Sequence, residues 1–404
     1  GTIAMAAETS AAGPLAGLRV LELANFMAGP FCGLILADLG ADVIKVEPPG
    51  TGDLTRQTPP FQNGESAGFL ALNRNKRSLT LNLKHPTGRD LFLRLVETAD
   101  VLIENFRPGT MADLGLDYPT LAARNPRLVY CAISGFGQTG PERDRPGLDL
   151  IVQAMSGLMS LTGEPDRPPV KIGVPLADLT TALFAANGIQ AALRARDRLG
   201  VGQYLDLSLF ESALALAVWE TSSYFATGQV PHRLGTAHRN GAPYQAFPTA
   251  DGFITIGAPS QRLFERLCAA LDLPDLLTDP RFATPADRKA NEQPLAEIIS
   301  ARTRREPSAV LLDRLQRAGV PAGPIWTIAE ALASPQVEAR GLIWETEHPS
   351  AGPVRLVGSP LHLSQTPATL RRPAPRLGEH TAEVLGTLGL GPQEVERLRT
   401  EGVV

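Results

Sequence analysis

The sequence predicts an α/β fold, with a large domain built on a doubly wound, largely parallel sheet and a smaller α+β domain after it. Three observations lead there. Apolar, strand-like runs alternate with helix-spaced segments through roughly the first 140 residues. From about residue 228 the pattern changes to loops, a hairpin and amphipathic helices. The 404 residues, 43% hydrophobic and 20% charged, suffice for two domains of ordinary size, and 38 glycines with 35 prolines point to many turns rather than a helical bundle.

Each element has its own signal. Residues 19–23 (RVLEL) form the first strand, Pro30 stands at a helix start, 31–39 (FCGLILADL) carry that helix, and Gly40 stops it. Residues 42–47 (DVIKVE) are the next strand. The unit then repeats, with helical spacing over 86–99, a strand at 101–104 (VLIE), a helix near 110–124 and a strand at 128–134 (LVYCAIS). Such a series is a doubly wound sheet of the Rossmann kind. Helices are expected at 148–161 and 178–196, then a strand at 203–208 and one long apolar helix near 209–226. In the second part a hairpin over 244–256, turning at Asp251-Gly252, precedes helices near 260–272, 290–302 and 307–318. The Pro-rich tail from about 340 is extended and ends in a short helix around 378–399.

Composition excludes several functions. A net charge of −4 offers no nucleic-acid-binding face, and no apolar run reaches the roughly 18 residues a membrane span needs. The three cysteines, Cys32, Cys131 and Cys268, are widely spaced in apolar surroundings and read as reduced core residues of a cytoplasmic protein. Neither H-E-x-x-H nor G-x-S-x-G occurs, so no zinc site or serine triad is signalled. Gly1–Ala4 precede Met5 and read as a leftover of cloning.

Five segments could carry chemistry. The strand–loop–helix at 19–39 holds Asn25-Phe26-Met27-Ala28-Gly29-Pro30, whose single glycine fails the G-x-G-x-x-G fingerprint and leaves little for an NAD-linked dehydrogenase. A plain strand-to-helix turn explains Asn25 and Met27 equally well. The cluster Asn73-Arg74-Asn75-Lys76-Arg77 suits phosphate, or is a solvated surface turn. Glu104-Asn105-Phe106-Arg107-Pro108-Gly109 runs off a strand at the carboxyl edge of the sheet, where open α/β sheets take ligands, and an aromatic there could stack on a base. Gly135-Phe136-Gly137-Gln138-Thr139-Gly140 is a loop that admits a ligand or merely turns tightly. Finally, Asp178 in KIGVPLADLTTA opens an apolar helix. As an N-cap it would tolerate asparagine; as a carboxylate at a helix start it would stay ionised near pH 7 and could attack a thioester.

Taken together these segments resemble the class III CoA-transferases, the group of formyl-CoA transferase and the 2-methylacyl-CoA racemases. The resemblance runs from about Pro14 to Val404 on GLRVLELANFMAGPFCGLILADLGADVIKVEPPGTGD, LNRNKRSLTLNL, IENFRPG, YCAISGFGQTGP, GVPLADLTTAL, GVGQYLDLSLFESAL, PYQAFPTADG, SPQVEARGL and LGEHTAEVL. It implies a large Rossmann-like domain at 14–212 completed by 340–404, linkers at 213–231 and 326–339, a small domain at 232–325, and two chains interlocked as a homodimer. It implies coenzyme A as cosubstrate with no permanently bound cofactor, acyl-CoA and carboxylate substrates, and Asp178 as the catalytic aspartate. Asn25, Phe26, Met27, Asn75, Lys76, Asn105 and Phe106 fall on or beside CoA-contacting positions, and 235–245 falls on the loop that covers the site in relatives.

The departures narrow the expectation further. Leu148 stands where the racemases carry a catalytic histidine, and leucine cannot move a proton, which disfavours racemase or epimerase chemistry. Met27 replaces the glutamine with which formyl-CoA transferase handles oxalate, and Pro48 replaces a frequent basic residue. Overall similarity points to succinyl-CoA and a dicarboxylate, with Arg56 or Arg239 as holders of the distal carboxylate. A protein that binds CoA without turnover is the alternative from another class.

Overall fold

The computed structural model describes residues 12–404, so the Gly1–Ala4 reading lies outside the described residues. The chain divides into two compact units. The larger takes in the chain up to Leu158, Lys171–Ser222 and Glu338–Val404; the smaller takes in Met159–Val170 and Ser223–Val337. Residues 159–170, expected within the large domain, therefore group with the smaller unit. The expected 213–231 linker is largely helical, because the apolar run that begins at Leu209 continues to Thr227.

In the larger unit the chain runs β1 (Arg19–Glu22), α1 (Ala28–Asp38), β2 (Asp42–Glu47), β3 (Lys76–Thr80), α2 (Pro86–Val96), β4 (Val101–Glu104) and β5 (Val129–Ser134). It continues through α3 (Asp149–Met155), α4 (Leu176–Leu199), β6 (Tyr204–Ser208) and α5 (Leu209–Leu216). The six strands form one parallel sheet in the order β3-β2-β1-β4-β5-β6, with Leu21 opposite Ile44 and Leu102 opposite Tyr130. The near-continuous apolar runs of β1, β2, β4 and β5 are what a sheet buried on both faces requires. Strand order reverses at β1, so the chain leaves the carboxyl ends of β1 and β4 into adjacent loops at Leu23–Met27 and Asn105–Gly109. A crevice opens at such a reversal because the connecting helices lie on opposite faces.

Helix α4 packs on α1, α3 and α5 through small buried residues, Ala177, Thr181, Ala182 and Ala185 among them, and ends at Gly200, whose φ of +75° stops the helix. The single helix expected at 209–226 is instead two, α5 and a helix at Val218–Thr227, broken at Ala217 (φ −81°, ψ 39°).

The smaller unit has its own core. An antiparallel sheet of β7 (Tyr244–Pro248), β8 (Phe253–Gly257) and β9 (Ala322–Pro324) packs with α6 (Gln261–Leu271), α7 (Glu292–Thr303) and α8 (Ser308–Arg317), and its buried residues include Phe247, Ile254, Phe264, Leu267 and Leu311.

The C-terminal segment returns to the larger unit. Val384, Leu385, Val395, Leu398, Val403 and Val404 join the cluster around Leu79, Phe92 and Leu102, each contributing roughly 1.5–3 kcal/mol if its side chain is fully withdrawn from water. The same segment covers the open edge of β3. His380 N–H donates to the Ser78 carbonyl (2.9 Å), Ser78 N–H donates to His380 Nδ1 (3.1 Å), and Thr80 N–H donates to Thr381 Oγ1 (3.0 Å). His380 is thus structural.

Candidate active site

The loop after β1 is fixed from two sides. Asn105, just beyond β4, accepts from Asn25 N–H (2.9 Å) and donates through Nδ2 to the Asn25 carbonyl (2.8 Å), a reciprocal pair across the point where the strand order reverses. Phe26 N–H donates to Asp53 Oδ1 (3.2 Å). Between these ties Phe26 is held at φ 61°, a left-handed conformation that costs an L-residue of this bulk about 1–2 kcal/mol. The residue is 47% exposed and lines the cleft instead of packing into the core.

Beneath that loop lies a buried charge network. Glu22 is fully buried between Lys45 (2.8 Å) and Lys76 (2.7 Å), and Lys45 also pairs with Asp53 (2.8 Å). Glu47 accepts from Nε and Nη2 of Arg56, each at 2.7 Å, and from Ser78 Oγ and Asp53 N–H. Even the helix leaves room for it, since a Cβ on Gly33 of α1 would lie 1.9 Å from Glu22 Oε1. Removing one member would strand an uncompensated buried charge, which fixes the floor of the loop.

The opposite wall is built from β5 and α4. The loop after β5 and the one before α3 touch at Gly135 and Gly147, where a Cβ on Gly147 would come within 2.5 Å of Gly135 Cα. Only glycine permits that approach. Asp149, the first residue of α3, accepts from Ala177 N–H (2.8 Å) and Asp178 N–H (3.2 Å), and so caps α4 from outside its own chain segment. Gln153 donates to Asp149 (2.7 Å) and accepts from Ile172 N–H (3.0 Å), clamping the approach to α4 onto α3.

This arrangement corrects the reading of Asp178 as the cap. Helix α4 begins at Leu176 and Asp178 is its third residue, its first-turn donors already taken by Asp149. The Asp178 side chain is left facing the cleft. Nor does it stay fully ionised. Burial, and then the like charge of Asp149, push its carboxyl from 3.8 up to about 7.

The cleft between these walls has a volume of about 720 Å³, within the range of small-molecule sites. Asn25, Phe26, Met27, Asn105 and Asp178 line it, with Leu148, Asp149 and Lys171. Three expected contacts are not in it. Asn75 is buried, its amide bonded to Asp38 (2.9 Å) and to the Thr369 carbonyl (2.8 Å). Lys76 is fully buried and spends its three donors on Glu22, the Pro30 carbonyl and Asn73. Both belong to the fold, because the acids that neutralise this basic run include Asp38 of α1, Glu22 of β1 and Asp42 of β2. Phe106 packs on the core cluster while its N–H donates to Glu104 (2.9 Å). Arg56, bidentate to Glu47 and stacked over Phe69 at 3.8 Å, is likewise committed, and Arg239 lies in the smaller unit, donating to the His232 carbonyl.

Asp149, Asp53, Gln153 and Lys171 are the site residues that sequence reading passed over. Lys171 and Asp53 stand inside quoted motifs and Asp149 follows Leu148, whereas nothing local marked Gln153. The cysteines are buried free thiols pushed upward by burial, Cys268 to about 11, which disqualifies them as nucleophiles at neutral pH. Among the described residues no cluster of three or more His, Cys, Asp or Glu is placed to hold a metal.

Residues 15–381 match CoA-transferase family III. The chain belongs to that family. Succinate–glutarate CoA-transferase of Agrobacterium fabrum is 46% identical over 96% of this chain and 98% of its own. Succinyl-CoA–D-citramalate CoA-transferase of Chloroflexus aurantiacus is 42% identical over 97% of this chain and 98% of its own. The crystal structure of a CaiB/BaiF family protein from Brucella suis superposes with a TM-score of 0.83 at 43% identity, covering 93% of this chain and 99% of that one. As a family III member the protein is a CoA-transferase, an enzyme that moves CoA between carboxylic acids. Within that family's frame the cleft supplies one free, partly protonated carboxylate and a glycine-lined wall. It also supplies an exposed aromatic and a lysine.

Proposed function

We propose that this CoA-transferase exchanges CoA between succinyl-CoA and a short dicarboxylic acid, with Asp178 as the covalent carrier. The carrying observation is the environment of Asp178, a carboxylate released from capping by Asp149 and lodged in the cleft at the carboxyl edge of the sheet. The names of the relatives support the succinyl donor and the dicarboxylate acceptor.

In the proposed sequence an oxygen of ionised Asp178 attacks the thioester carbonyl of the donor. The C–S bond breaks, CoA leaves as thiolate, and a mixed aspartyl anhydride remains. The thiolate attacks the aspartyl carbonyl, the anhydride C–O bond breaks, and the donor acid departs as carboxylate. An aspartyl-CoA thioester is left, and the acceptor carboxylate runs the same steps in reverse. One thioester replaces another, so the protein's task is alignment and stabilisation of the oxyanions. A carboxyl poised near 7 is more basic than an ordinary aspartate and half available at neutral pH.

Asn25, Phe26 and Met27 are proposed CoA contacts, and Asn105 acts on them by holding their loop. Leu148, 74% exposed at the cleft, offers no base for racemisation. We read the larger unit as Rossmann-like from its strand order and the enzyme as a cytoplasmic interlocked homodimer, which sedimentation of the purified protein would check. The functional test mixes enzyme, succinyl-CoA and a panel of diacids, including glutarate, mesaconate and oxalate, and separates the acyl-CoA products. No new acyl-CoA from any acid sinks the reading. Hydroxylamine should trap an activated Asp178, and exchange surviving in Asp178→Ala would remove the aspartate from the mechanism.

A further inference from the structure

The larger unit spends nearly all the basic side chains around this cleft on internal ion pairs. Lys45 and Lys76 sit on Glu22, Arg56 on Glu47, Arg74 on Asp38, and Arg77 on Asp42 and Glu383. Lys171 differs. It is exposed, and it is the one cation among the residues that line the cleft. Among the described residues its Nζ donates only to the adjacent Ile172 carbonyl, at a marginal 3.4 Å. Its backbone is not loose, because Gln153, fully buried, accepts from Ile172 N–H and donates to Asp149, the residue that caps the Asp178 helix. Lys171 and Asp178 are therefore held in register by one clamp.

A second carboxylate entering this cleft meets Asp149 and Asp178, two like charges in a partly dry site. It needs a cation, and no guanidinium lines the cleft to supply one. We propose that Lys171 binds the distal carboxylate of the diacid substrate and thereby sets the preference for diacids over monoacids. This rests on the reading of the cleft as the CoA-transfer site, and it moves the distal-carboxylate role from Arg56 and Arg239 to a lysine seven residues before the carrier.

The test uses the whole chain, succinyl-CoA as donor and two acceptors matched in length, glutarate and valerate, which differ by the distal carboxylate. In exchange through a covalent enzyme–CoA thioester, kcat/KM for the acceptor reports only the half-reaction in which that acceptor enters. Lys171→Ala should lower kcat/KM for glutarate roughly ten- to hundredfold, leave valerate within about twofold, and leave the affinity for free CoA unchanged in a calorimetric titration. Lys171→Arg should restore most of the diacid rate. Parallel losses on glutarate and valerate, or weakened binding of free CoA, would assign Lys171 to CoA or to the fold and overturn the proposal, as would full diacid activity in Lys171→Ala. Failure of the underlying reading looks different, for the wild-type enzyme would then transfer CoA to none of the acids.

Discussion

Replacing Asp178 by asparagine should stabilise the folded protein, and by an amount that depends on pH. The carboxyl sits at about 7 in the fold against an ordinary 3.8, because burial and the charge of Asp149 oppose ionisation. Below the unfolded value both states hold the proton, so no penalty exists there. Between about 4 and 7 the unfolded chain ionises while the fold keeps its proton, and stability falls as pH rises; above 7 the loss is complete. At about 1.4 kcal/mol per tenfold change in proton affinity, the full rise corresponds to an upper limit of about 4 kcal/mol. Partial contact with water and residual order in the unfolded chain reduce it to about 1–3 kcal/mol. Asparagine has nearly the same shape and never ionises. The gain of Asp178→Asn over wild type should therefore be a little more than a third of its full size at pH 5 and complete by pH 8. Urea midpoints read by circular dichroism at pH 5, 6, 7 and 8 measure it. An asparagine variant no more stable than wild type at pH 8, or a gap that does not change between pH 5 and 8, would refute the raised carboxyl and the argument from its surroundings.

Three further outcomes follow from the same geometry. If only the ionised carboxyl attacks, kcat/KM rises with pH through a midpoint near 7; since burial outweighs Asp149 as the cause, Asp149→Asn, whose amide oxygen still caps α4, should draw the midpoint down by less than half of the rise from 3.8, and an unmoved midpoint in pH–rate profiles would dismiss Asp149 as the source of repulsion. Glu22→Gln leaves Lys45 and Lys76 without their shared charge and should cost about 3–5 kcal/mol, seen as a drop in the urea midpoint; a loss under 1 kcal/mol would mean that the network adds little to the fold. Gly147→Ala drives a methyl into Gly135 Cα at 2.5 Å and should lower kcat/KM by about tenfold or more by parting the cleft wall, whereas unchanged kinetics would show that this contact does not shape the site.

The sheet was legible because both of its faces are buried, so its strands appear in sequence as short, nearly unbroken apolar runs between turn residues. The order of the strands was not, since pairing β1 with β4 is decided by tertiary packing across some 80 residues. The break at Ala217 carries no glycine or proline and left no trace. In the site, Asp178 stood out as an acid at the head of an apolar helix. Its ionisation was misjudged because the donors that would have held its charge are occupied by Asp149, 29 residues earlier. The basic run at Asn73–Arg77 misled for the same reason. A cluster of cations reads as a phosphate clamp only until the partners are known, and Asp38, Glu22 and Asp42 come from elements far from it in sequence.

Three unfavourable features of this molecule lie together. Phe26 in a left-handed conformation, Asp178 beside Asp149, and a glycine-to-glycine contact all line one cleft, at the point where the strand order reverses. None of them helps the fold, and each is held by something that does. Asn105 and Asp53 hold Phe26, Gln153 holds Asp149, and the Glu22 network lies under the loop. Such a division is expected where a site must keep a reactive carboxylate and an exposed ring in place before substrate arrives, because substrate then meets groups that need no further ordering. It also explains why one aspartate in this cleft works as a helix cap while its neighbour remains free. Asp149 accepts the backbone donors of α4, while burial first, and then the like charge of Asp149, make Asp178 hold its proton until about pH 7.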